Sequence, residues 1–216
     1  MKQGIIFDMD GTLWDSAENV AKSWELALQQ CGYEDVPVTK EDMYRVMGKT
    51  MDVIAEILFP FVEGEERAHL LNVCCEVEND YLRERGGKLY PKLQETLEAL
   101  KDKYHLYIVS NCQAGYIEAF LEYYHFHDYF EDIECFGNNG FQKWENIALI
   151  CKRNKLGQAV YVGDIQGDYD ATTKAGLPFI HATYGFGTID AETAKIYCFE
   201  DLLTVVPNVF ASLIAE

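Results

Sequence analysis

Two carboxylates one residue apart, Asp8 and Asp10, close a short apolar run and are followed by Gly11 and Thr12. A carboxylate at the end of a buried strand can attack phosphorus, and a second beside it can move the proton that the leaving oxygen gains. The plainer reading of the same residues is an Asp-Gly turn. Two later stretches decide between them. Ser110-Asn111 and Asp164 to Asp168 each follow an apolar run of their own, so three separate runs end in polar groups. Closely placed carboxylates repel unless a cation lies among them; Asp8, Asp10 and Asp164 are hard oxygen ligands that suit Mg²⁺ and a substrate phosphate oxygen. Phosphoryl transfer also needs donors around the non-bridging oxygens. The Ser110 hydroxyl, the Asn111 amide and the backbone N–H groups that Gly11 exposes can supply them. Lys143 is the candidate cation, with Lys152 and Lys155 as alternatives downstream. Asp168 can order a metal-bound water, hold Lys143 in place or cap a helix.

The elements that position these groups fall into two patterns. From Asp15 to Arg85 everything reads as helix: Ala17 to Cys31 capped by Asp15 or Ser16, a second helix starting at Thr39 with Asp42 at the capping position, then Met51 to Leu58 and Glu65 to Arg85. Ala68, Leu71, Cys75 and Leu82 form the apolar face expected of the last. Gly86-Gly87 marks a hinge. Beyond it strands near 106–110, 133–136, 159–163, 178–182 and 196–199 alternate with helices over 91–103, 116–124, 146–154 and 170–175. This predicts an α/β fold, a doubly wound parallel sheet in residues 1–14 and 87–216, with an all-helical cap domain inserted over 15–86. Ligands of such sheets bind outside the carboxyl ends of the strands, where the three polar endings converge.

The formal charge of −18 argues against nucleic acid and anionic membranes as partners, and it requires a bound cation with a few local Lys or Arg residues before a phosphate can enter. No apolar run approaches the length of a bilayer span, and the seven cysteines form no C-x-x-C pair. A cytoplasmic monomer with reduced thiols is the expectation, Cys112 being a packing residue near the site.

Asp8-Met9-Asp10-Gly11-Thr12-Leu13, Ser110-Asn111, Lys143 and Gly163-Asp164 continuing to Asp168 together resemble the four motifs of the haloacid dehalogenase-like phosphatases with a helical cap. The resemblance implies Asp8 as nucleophile, Asp10 as acid/base and as a metal ligand through its backbone carbonyl, Ser110 and Lys143 as phosphate-binding groups and Asp164 as a Mg²⁺ ligand. Lys143 is followed by Trp144 where many relatives have proline. Arg45, Gly48 and Lys49 are similar to the substrate-contacting loop of the cap, where Arg45 and Lys49 could meet a second anionic group in the manner of phosphoglycolate phosphatases. Tyr184-Gly185-Phe186-Gly187 resembles that subgroup too. The implied function is Mg²⁺-dependent hydrolysis of a small phosphorylated metabolite through an aspartyl-phosphate. A sugar-phosphate mutase on the same scaffold and a non-catalytic binding protein are the alternatives.

Overall fold

The computed structural model describes residues 2–213. The chain enters as β1 (Gln3–Phe7), makes a two-residue strand β2 (Trp14–Asp15), and then runs through α1 (Ala17–Gln30), α2 (Lys40–Val46), α3 (Met51–Leu58) and α4 (Gly64–Arg85) before β3 (Lys88–Leu89). From there strands and helices alternate: α5 (Leu93–Lys101), β4 (His105–Ser110), α6 (Tyr116–Tyr124), β5 (Asp132–Cys135), α7 (Phe136–Asn139), α8 (Lys143–Arg153), β6 (Gln158–Gly163), α9 (Gln166–Lys174), β7 (Phe179–Ala182), β8 (Ala194–Ile196) and α10 (Leu202–Ser212). Among the described residues no helix is long and apolar enough to cross a membrane.

Six strands pair in parallel in the order β5-β4-β1-β6-β7-β8. Their side chains alternate between two apolar layers. Ile5 and Phe7 turn into one, Ile6 with Tyr107 and Tyr161 into the other, as expected of a parallel sheet covered on both faces. The order makes β1 the switch point: the chain builds outward through β4 and β5, then returns to β6 and builds the other way. Phe7 lies opposite both Ile108 and Val162, so the residues just beyond β1, β4 and β6 emerge at the same edge.

Four features of the fold depart from the sequence reading. β2 and β3 pair antiparallel at the two ends of the helical block and tie its entry to its exit. Two residues are too few to leave a periodic signal. Helix α4 buries Leu70, Cys74, Glu78 and Leu82, whereas Ala68 is exposed and Leu71 and Cys75 are only half-buried. Apolar neighbours at Leu70-Leu71 and Cys74-Cys75 make two adjacent stripes almost equivalent, and packing on α1 selects one. Helices α8 and α9 start earlier than their apolar periodicity, because the carboxylates of Glu145 and Asp168 accept from N–H groups ahead of the first turn. Helix α10 escapes the pattern because Pro207 lies inside it, yet it buries Leu202, Val206 and Phe210.

Candidate active site

Asp8 follows β1 directly, and its N–H donates to the Val162 carbonyl (2.9 Å), which continues the ladder and fixes the carboxylate at the sheet edge. Lys143, the first residue of α8, reaches in to place Nζ 2.8 Å from Asp8 Oδ1 and 2.5 Å from Asp168 Oδ1. All three side chains are buried. The other Asp168 oxygen accepts from the N–H groups of Asp164 (3.0 Å) and Ile165 (3.2 Å), so this residue caps α9 and holds the lysine at once. Lys152 lies in the last turn of α8 and Lys155 just beyond the helix, both away from this cluster; among the described residues Lys143 is the buried lysine.

Carboxylate oxygens of Asp8, Asp164 and Asp168 approach within 4.8 Å of one another, with one ammonium among three acids. The imbalance shows in their protonation. Burial and the neighbouring Asp168 carboxylate push Asp8 up to about 7, against the pull of Lys143. Asp164 is raised well above the usual carboxylate range by burial, by Asp168 and by Asp8. For Lys143 burial works against the charge, but Asp168 and Asp8 outweigh it and keep the ammonium protonated. Asp164 Oδ2 accepts from the Phe186 N–H (2.7 Å), while Oδ1 is buried without a partner. An orphaned carboxylate oxygen beside excess negative charge is the donor set of a hard divalent cation, and Mg²⁺ fits it. The Asp10 carboxylate is not part of the cluster. Its Oδ1 accepts from both Ser16 Oγ (2.6 Å) and Tyr116 Oη (2.7 Å), which ties this carboxylate to the start of the helical block and to α6. Burial raises it to about 6 even though both hydroxyls oppose the shift.

A cavity of about 50 Å³ opens beside Asp8 and Asp10, lined from the sheet by these two with Ser110 and Asn111, and from the helical block by Lys49, Trp24 and Glu78 among others; Lys143, Asp164 and Asp168 lie behind its wall. Other expected site residues lie elsewhere. Arg45 is largely exposed and paired with Asp42 (3.0 Å) in its own helix, outside the cavity wall. Lys49 lies beyond the end of α2, after Gly48 (φ +83°), and lines the cavity where Arg45 does not. Neither Gly11 nor Thr12 lines the cavity. The Thr12 hydroxyl is buried without a partner, and Gly11 (φ +84°) makes room for Asp164: a Cβ there would lie 2.1 Å from Oδ2. Asn111 spends its Nδ2 on the Gly48 carbonyl (2.9 Å), joining the sheet to the loop after α2. Cys112 lines the cavity, but burial drives its thiol far above its ordinary range, as suits a packing residue.

Sequence reasoning missed the groups that hold Asp10, namely Ser16 and Tyr116. Ser16 stands at the N-cap of α1 but makes no capping bond; the Asp15 carboxylate accepts from the Ala17 N–H instead (3.1 Å), which frees the Ser16 hydroxyl. Tyr161, whose hydroxyl donates to the Val109 carbonyl (2.8 Å), and Glu78 were hidden too, one inside an apolar strand and the other in a helix rich in acids. The Tyr184–Gly187 loop does more than connect strands. A Cβ on Gly185 would lie 2.3 Å from Asp164 Cβ, so the loop closes onto Asp164 only as glycine.

The chain and its fold have known counterparts. The family description of haloacid dehalogenase-like hydrolase matches residues 5–182. A phosphoglycolate phosphatase of Yersinia pestis is 28% identical over 94% of this chain and 93% of its own length. Among solved structures, a haloacid dehalogenase-like hydrolase from Bacteroides fragilis superposes with a TM-score of 0.80 at 23% identity, covering 94% of this chain and all of that one. A predicted phosphoglycolate phosphatase from Haemophilus somnus gives 0.77 at 23% identity over 95% and 98% of the two chains.

Proposed function

Given that the chain belongs to the haloacid dehalogenase-like hydrolases, we propose that it is a Mg²⁺-dependent phosphatase of a small phosphomonoester, acting through an aspartyl-phosphate on Asp8. The observation that carries this reading is the buried Asp8–Lys143–Asp168 triad beside the orphaned Asp164 oxygen. An Asp8 carboxylate oxygen attacks phosphorus, the bond from phosphorus to the leaving oxygen breaks, and Asp10 gives that oxygen its proton. Asp10, raised to about 6, then takes a proton from the water that attacks the phospho-aspartate; phosphate leaves and Asp8 is restored. Ser110 and Lys143 meet the phosphoryl oxygens, and Lys143, steered by Asp168, opposes the protonation of Asp8 that burial favours. Asp8, the Asp10 carbonyl and Asp164 would hold Mg²⁺, which supplies charge stabilisation for the phosphoryl group. Residues 15–86 act as the cap that shuts water out.

Phosphate release from a panel of phosphomonoesters, with and without Mg²⁺, tests the reading. Asp8→Asn is expected to lower turnover by at least about 10³-fold. Undiminished release in that variant would remove the proposed nucleophile.

A further inference from the structure

The half of the cavity that faces away from Asp8 is walled by apolar side chains of the helical block, among them Val20, Met43, Val46 and Ile54. Glu78 interrupts this wall. It projects from the middle of α4, is 3% exposed, and receives a hydrogen bond from the Trp24 indole N–H on one carboxylate oxygen. The indole is itself buried and stacked on Phe59 with ring centroids 5.4 Å apart, so the carboxylate is held in place rather than free to swing into solvent. Gln113 lies beside it on the same cavity. Among the described residues no buried cation lines this part of the cavity. Lys49 lines the cavity but is exposed, and Arg45 is tied to Asp42 outside it.

An ionised carboxylate offers only acceptors, and a buried one demands donors. Trp24 answers one oxygen of Glu78 and the Gln113 amide lies beside it; a carboxylate has acceptor sites beyond these two, and Glu78 lines the cavity. A substrate carboxylate brought here would set two buried anions side by side, whereas a hydroxyl or an ammonium would complete the hydrogen bonding. Resting on the phosphatase reading above, we propose that Glu78 determines specificity, selecting phosphomonoesters whose organic part bears a hydrogen-bond donor and rejecting those that bear a carboxylate.

Three two-carbon probes that differ only in their end group put this to the test: 2-hydroxyethyl phosphate, O-phosphoethanolamine and 2-phosphoglycolate, assayed with Mg²⁺ at pH 8. Both donor probes are expected to exceed 2-phosphoglycolate in kcat/KM by about tenfold or more. In Glu78→Gln the ratio should collapse, the donor probes losing about tenfold, chiefly in KM, while 2-phosphoglycolate gains. A merely structural role would lower all three alike and would overturn the proposal, as would a wild-type preference for 2-phosphoglycolate. The wild-type ordering needs no variant, so a poorly folded Glu78→Gln does not leave the matter open. If none of the probes is turned over, titration calorimetry of the same three with Asp8→Asn and Mg²⁺ reads the ordering as affinities. Failure of turnover then counts against the phosphatase reading, and failure of the ordering against Glu78.

Discussion

Gly11 illustrates how one residue can be fixed by a neighbour 153 positions away in the chain. Its positive φ and the 2.1 Å approach to Asp164 leave no room for a methyl group. Gly11→Ala should therefore lower stability by about 1–3 kcal/mol and displace Asp164, so that thermal unfolding and phosphate release both register the change. Glu78 yields a prediction of different form. Burial, opposed by the Trp24 and Gln113 donors, raises its folded pKa from 4.5 to about 7. Between those values the folded state binds the proton that the unfolded chain has lost. Stability contributed by this group is full below about 4.5 and is lost as pH rises towards 7, a difference of roughly 3 kcal/mol. Glu78→Gln removes that dependence: its melting temperature should match wild type near pH 4.5 and exceed it at pH 8. Equal wild-type and variant profiles across the range would show that Glu78 is ionised at its ordinary pKa.

The elements that carry chemistry are those whose ends, rather than middles, are polar, and this is why they were legible. β1, β4 and β6 announce themselves as apolar runs broken by Asp8, Ser110 and Asp164, so the convergence of their polar ends at the switch point was legible in the residues alone. The helices α1 to α4 were legible as a block but not as a wall of the cavity. Which of two adjacent stripes α4 buries depends on α1, and no local period encodes that choice. The same limit hid Glu78 and sent Arg45 to the wrong place, since a helix end can turn its last basic residue towards its own first turn. Contacts between cap and sheet were equally silent: Tyr44 of α2 lies with its ring 4.9 Å from that of Phe186 and donates to Asp15 (2.7 Å). Here the Phe186 side chain serves the cap while its N–H serves Asp164. Phe186→Ala keeps the second and loses the first, so a double-mutant cycle with Tyr44→Ala should return a coupling of about 0.5–1.5 kcal/mol in unfolding free energy. A coupling near zero would mean that the two rings are neighbours without holding the cap to the sheet.

At the scale of the whole molecule the dominant fact is charge. With 36 acidic and 18 basic residues, the protein surrounds a site for an anion with a field that repels it. The only buried cation, among the described residues, is Lys143, already shared between two carboxylates. Two consequences can be measured. On the proposed reading Mg²⁺ would relieve repulsion among Asp8, Asp164 and Asp168, so it should raise the melting temperature in proportion to the logarithm of its concentration above Kd, and Asp164→Asn should blunt that rise. This readout does not depend on turnover. The second consequence concerns encounter. Screening lengths fall from about 30 Å at 0.01 M salt to about 8 Å at 0.15 M, which hides most of the surface from an approaching phosphate but leaves the contacts inside the cavity intact. With Mg²⁺ saturating, kcat/KM for an anionic phosphomonoester should therefore rise with NaCl over this range while kcat stays level. O-phosphoethanolamine, less negative by its ammonium, should respond less than 2-phosphoglycolate. A fall in kcat/KM with salt would mean that Lys49 at the cavity wall, together with the metal, already reverses the local field and draws the substrate in.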